Sequence, residues 1–188
     1  MKINSIYDII SFSIFIINIY TIITLQYDLF LSNIIVIIIH KYIKHHTTGL
    51  YPNIFKRPNG ACDCNIFNDG GIVSHKSGFP SGHMSSISLF MNGFLFKNNK
   101  KVDILQFIIY NIPCILMGVA RYQKKCHNLI QIIFGYLFGL SSAYLLKIFY
   151  YNKIHNQNIE YETIQHNNSE NESLINNSNN SNYKTINV

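Results

Sequence analysis

The sequence predicts an all-α fold, a polytopic membrane helical bundle of about five transmembrane helices, and three observations carry that expectation. Hydrophobic residues make up 48% of the chain and charged ones only 13%, where a soluble domain carries nearer to a quarter charged. Apolar runs of roughly the length that crosses a bilayer recur through residues 6–150. Cations gather at the ends of those runs. A chain of 188 residues is one domain's worth, enough for a real core.

The first run, residues 6–25, is interrupted only by small polar residues and Asp8. It lacks the basic start and the small-residue cleavage site of a signal peptide, so a retained anchor is expected. Residues 29–43 are Ile-rich and lead into His40, Lys41 and Lys44, whose long stems reach for the interface. Isoleucine favours sheets, but fifteen residues are too many for a typical strand, and a short membrane helix is the better reading. Residues 45–79 are polar and broken by Pro52, Pro58 and Gly70-Gly71. So long a loop inside a compact domain is usually functional. It reads as a cap over a site, with Arg57 reaching inward and His45, His46 and His75 solvated.

Residues 81–97 form the third span, with Ser85, Ser86, Ser88 and Gly93 small enough to let a neighbour approach. A basic turn, Lys97 to Lys101, leads to the fourth span, 103–119, which carries Pro113. The fifth, 128–150, places Gly135 and Gly139 on one face, a spacing that suits close packing. Residues 1–150 are thus expected to be the membrane-embedded domain. From 151 to 188 the composition turns to Asn, Ser, Glu and Lys, too polar to repay its ordering entropy, and a disordered tail is expected. Its Asn-x-Ser triplets at Asn167, Asn171, Asn176 and Asn179 follow from that composition and predict no modification unless this end faces a secretory lumen.

A net charge of +6 and a pI near 9.1 raise nucleic acid as a partner. The cations are scattered at span ends with no basic helix or nucleic-acid motif, so phosphate and anionic headgroups are the expected partners and DNA or RNA is not. Of the cysteines, Cys114 lies in an apolar run and reads as core. A lone Cys62-x-Cys64 pair is weak for a metal site. A disulfide from Cys62 or Cys64 to Cys126 remains open for an oxidising face.

Chemistry concentrates in three blocks. Gly78-Phe79-Pro80-Ser81-Gly82-His83 combines a proline suited to a helix start, a hydroxyl, a glycine that admits a close anion, and a histidine. Arg121, His127 and Gln131 follow, with Gln131 one helical turn beyond the histidine. Upstream stands Lys56-Arg57-Pro58. Because the spans alternate in direction, all three blocks and the N-terminus come to one face, with the tail opposite.

In this order and spacing the blocks resemble the type 2 phosphatidic acid phosphatase family, the membrane-bound lipid phosphatase branch related to the vanadium haloperoxidases, whose signature reads K-x6-R-P, P-S-G-H, S-R-x5-H-x3-D. The resemblance covers roughly residues 40–150. It implies a metal-independent hydrolase of phosphorylated lipids without a cofactor. His127 would be the nucleophile, forming a phosphohistidine, and His83 the acid for the leaving group. Arg57, Arg121, Ser81, Gly82, and either Lys56 or a displaced Lys44 would hold the phosphate. It also implies a site facing away from the cytoplasm. The chain departs from the signature in three places: Leu50 stands where the first lysine belongs, Ala120 replaces serine, and Gln131 replaces aspartate. The last removes the charge that steadies a cationic histidine, so weakened turnover or a dead, lipid-binding pseudophosphatase are both expected outcomes to weigh. Restoring the carboxylate is expected to raise turnover.

Overall fold

The computed structural model describes residues 5–47, 49–67, 70–98 and 101–151. Apart from Tyr151, the expected tail with its Asn-x-Ser triplets lies outside them, as do Asn99 and Lys100 of the basic turn. The chain divides into two compact units, Met1–Lys147 and Ile148–Val188; of the second, only residues 148–151 are described, within a short π-helical segment Lys147–Tyr151.

Five long helices make up the first unit: α1 (Ile6–Ile23), α2 (Tyr27–Thr47), α4 (Gly82–Asn98), α5 (Ile104–Gln123) and α6 (Leu129–Leu146), with a four-residue α3 (Pro52–Phe55) between α2 and α4. Among the described residues there is no strand, only isolated bridges between Lys56 and Ser77 and between Cys62 and Ile72. The helices begin where the sequence offers caps. The Ser5 N–H donates to the Asp8 carboxylate (3.0 Å), Asp103 accepts from the Leu105 N–H (2.7 Å), and Asn128 accepts from the Gln131 N–H (2.9 Å). The expected boundary of the second span, 29–43, is too short. Asp28 sits in the first turn of α2, and Lys44, His45 and His46 in its last, each favourable to the helix dipole, so the helix continues through them. Similarly, α5 runs past 119 to include Arg121, while α1 stops at Ile23 and Leu25 takes a left-handed φ of 56°.

Three helices, Ile6–Ile23, Ile104–Gln123 and Leu129–Tyr151, are long and apolar enough to cross a membrane. The bundle is inside out: Ile104 is 78% and Ile115 63% exposed, while Asp8, Asn33 and Gln131 are buried. Such an arrangement suits lipid outside and polar contacts within. The helix α4 is serine-rich and only 17 residues long. It packs against α1, α2, α5 and α6, so its neighbours cover most of it and it needs less apolar surface of its own.

The tightest packing joins α4 and α6. A Cβ on Gly135 would stand 2.7 Å from the Ser81 carbonyl oxygen, and one on Gly139 would collide with the Ser85 carbonyl. In the space so left, the hydroxyls of Ser85 and Ser88 donate across to the carbonyls of Gly135 (2.8 Å) and Tyr136 (2.9 Å). The close crossing sets the start of α4 against the start of α6.

Candidate active site

The turn between α5 and α6 carries His127, which is buried. Its Nδ1 lies 3.1 Å from Oε1 of Gln131, one turn into α6. The orientation of that amide follows from its other end: Nε2 donates to the carbonyls of Ile54 and Lys56, both at 2.8 Å. With Nε2 bound to two acceptors, Oε1 faces the ring and accepts, so Nδ1 carries the proton and Nε2 of His127 has the free lone pair. Gly78 makes room for this arrangement, since a Cβ there would stand 2.5 Å from Gln131 Oε1 and 2.9 Å from Arg57 Cγ.

Burial holds the His127 imidazole well below its usual titration range, and the charges of Arg121, Arg57, Lys44 and His83 push it further the same way. The ring is therefore neutral at neutral pH. Burial likewise lowers Arg57 from its ordinary value.

Each of two arginines hangs on a carbonyl of one cystine. Cys64 and Cys126 are joined by a disulfide, which settles the pairing left open by the sequence; Cys62 and Cys114 are free. The half-buried Cys62 thiol is pushed up by its hydrogen bond to Asp63. Arg121, fully buried near the end of α5, donates through Nη2 to the Cys64 carbonyl (2.6 Å) and through Nη1 to Ser11 of α1 (3.2 Å). Arg57 donates through Nη1 to the Cys126 carbonyl (3.1 Å). Behind them Lys124 pairs with the buried Asp8 of α1 (2.5 Å).

The start of α4 closes the site. Its Ser81 N–H donates to the Gln131 carbonyl (3.0 Å). Among the described residues the buried Ser81 hydroxyl has no hydrogen-bond partner, nor have Nε2 of His83, Nε of Arg57 and Nε of Arg121. Buried donors in native proteins are almost always satisfied, and this set is matched by an oxyanion with several acceptor oxygens. From α2, Lys44 Nζ stands 3.8 Å and His40 Nδ1 3.6 Å from where a Gly82 Cβ would be.

The structure thus brings together His127, Gln131, Arg57, Arg121, Ser81, Gly82, His83 and Lys44. It leaves Lys56 out: that side chain is exposed, and only its backbone joins the network. A lysine beside Arg57 in an extended segment points away from the face that Arg57 uses, whereas Lys44 lies on the α2 face toward α4. Sequence reasoning missed Asp8, Ser11 and His40. An acid inside an apolar run was the available signal for Asp8, and the i, i+4 spacing to Lys44 the signal for His40.

The family model described as the PAP2 superfamily matches residues 26–155. No curated protein and no solved structure matches the chain.

Proposed function

The chain belongs to the PAP2 superfamily, and on that premise we propose that it is a metal-independent, multi-pass membrane phosphatase that hydrolyses a lipid phosphate or diphosphate through a phosphohistidine at His127. The observation that carries this reading is the contact of His127 Nδ1 with Gln131 Oε1 (3.1 Å), which leaves Nε2 as the nucleophile of this reading, with the charges of two arginines and a lysine acting on the ring.

In this mechanism Arg57, Arg121, Lys44, the Ser81 hydroxyl and the Gly82 N–H hold the phosphate oxygens. Guanidinium forks suit two oxygens at once and concentrate positive charge where the transferring group spreads its negative charge. Nε2 of His127 bonds to phosphorus while the bond to the leaving oxygen breaks, and His83 delivers a proton to that oxygen. Water then takes the phosphoryl group from Nε2, with His83 receiving the proton, and orthophosphate leaves. Gln131 takes up the Nδ1 proton's direction throughout but adds no negative charge to the ring once it is cationic.

That missing charge favours one alternative, a pseudophosphatase that binds phosphorylated lipid without turnover. Orthophosphate release from lipid phosphates, measured in chelator with purified full chain, distinguishes the two. The proposal expects release, a trapped phosphohistidine from labelled substrate, and loss of both in His127→Ala. Binding without release or trapping in a folded wild-type chain leaves only the pseudophosphatase.

A further inference from the structure

Two cavities that share a wall open from the phosphate site. One, of about 470 Å³, is lined by Lys41, Lys44, His45, Arg57, His75 and Lys76 with Ser77. The other, of about 270 Å³, includes His83, Gly82, His40, Lys41 and Lys44 at one end and apolar Ile14, Val36 and Ile37 beyond. Lys41 and Lys44 border both, and no acidic residue among the described residues lines either. Along α2 the lining residues of the second cavity run Lys44, Lys41, His40, Ile37, Val36 and Asn33, a single face about 16 Å long at the helical rise. A cationic mouth thus passes, beside the acid His83, into an apolar groove.

Arg57, Arg121 and Lys44 answer one phosphate, which leaves Lys41, Lys76 and His40 over. His40 is only 4% exposed, packs edge-on against Phe138, and has no hydrogen-bond partner at either ring nitrogen among the described residues. A buried polar group in that condition calls for a partner, and the groove into which it looks is where the leaving group of the proposed reaction must lie.

Resting on the phosphatase reading above, we propose that the substrate is a lipid diphosphate, whose second phosphate is held by His40 and Lys41 with Lys76 across the mouth, and whose hydrocarbon chain follows the α2 face past Ile37 and Val36. His127 Nε2 then bonds to the terminal phosphorus, and the bond from that phosphorus to the bridging oxygen breaks, its electron pair staying on the oxygen. The leaving group is a lipid monophosphate, protonated by His83, and water releases orthophosphate from His127 in the second step. A charged leaving group explains cations on the leaving side, where a plain alcohol would need none.

The test uses the full chain in detergent with dodecyl diphosphate and dodecyl monophosphate, and, independently of turnover, with inorganic pyrophosphate and orthophosphate as ligands. Wild type is expected to prefer the diphosphate in kcat/KM, and pyrophosphate in binding, by about tenfold or more. Lys41→Gln, which alters an exposed side chain, and His40→Phe, which keeps the contact with Phe138, are each expected to remove most of that preference. No preference in the wild type, or equal losses on both members of each pair, overturns the subsite. So does a gain from anionic lipid in the micelle that is the same for both substrates, since the lysines would then serve headgroups of the bilayer. Tighter pyrophosphate binding without hydrolysis of either lipid upholds the subsite and sinks the catalytic reading instead.

Discussion

At the scale of single residues, Gln131 has two jobs that oppose one another on substitution. Its oxygen directs the His127 ring, and its nitrogen satisfies the carbonyls of Ile54 and Lys56 in the segment that carries Arg57. Gln131→Asp supplies a negative charge beside the imidazolium but no donor, and each orphaned buried carbonyl costs about 1–3 kcal/mol. The expected outcome is a higher kcat with a lower Tm, read by phosphate release and thermal unfolding of one preparation. A fall in both would show that the loop carbonyls matter more than the charge. His127 makes a second prediction. Its folded-state pKa is depressed, so below the ordinary value of about 6.5 the unfolded chain binds a proton that the folded chain refuses. Stability is therefore full above that value and is lost as pH falls from it toward the folded one. Thermal unfolding between pH 8 and 5 should show this loss, and His127→Gln should reduce it; the acid limb of kcat/KM that reports His127 should lie below 6.5.

At the scale of elements, the loop between α2 and α4 behaves as part of the site because covalent and polar ties hold it there. The Cys64–Cys126 disulfide closes a separation of 62 residues, and the two carbonyls of that cystine accept from Arg121 and Arg57. A small apolar cluster of Ala61, Cys64, Val73 and Cys126 packs around it. Removing the bond is expected to loosen both arginines as well as to destabilise the fold by about 2–4 kcal/mol. Cys64→Ser/Cys126→Ser, assayed below its unfolding temperature, should bind orthophosphate about tenfold more weakly, while Cys62→Ser should not. Unchanged orthophosphate affinity in the double variant would mean that the carbonyls keep their place without the bond. The helices themselves are joined by polar pairs, Asn33 to Asn18 (3.0 Å) and Asn92 with Asn111 (3.3 Å), contacts worth about 1 kcal/mol each in a lipid setting.

At the scale of the whole molecule, alternation of the helices gathers one chemistry at one end. Arg57, His83, Arg121 and His127 lie near the ends of α2, α4, α5 and α6 that meet around Gln131, and α1 joins them through Asp8 and Ser11. At the other end Lys97 of α4 pairs with Asp28 of α2 (3.0 Å). We propose that this axis crosses the bilayer with the site on the non-cytoplasmic side. In a Cys62→Ser background, a cysteine at exposed Ile72 should react with an impermeant maleimide from outside intact cells, and one at Lys101 only after permeabilisation. The reverse pattern would invert the orientation, and equal reaction of both from one side would show that α4 (Gly82–Asn98) does not cross.

The sequence alone was enough for the helical bundle and for naming most of the residues that the structure brings together around Gln131. Apolar runs must become helices in lipid because backbone groups there can bond only within the segment, and the short turn that joins α5 to α6 keeps Arg121, His127 and Gln131 near one another. Gly135 and Gly139 were legible because their spacing sets them on one helix face. The boundaries of α2, the choice of Lys44 over Lys56, the partner of Cys64, the roles of Asp8, Ser11 and His40, and the two carbonyls that orient Gln131 were not. Each depends on contacts between residues far apart in the chain, 116 positions for Asp8 and Lys124 and 110 for Ser11 and Arg121. Local pattern constrains which face a side chain takes on its own helix, but which distant group it meets there emerges only when all the helices pack together.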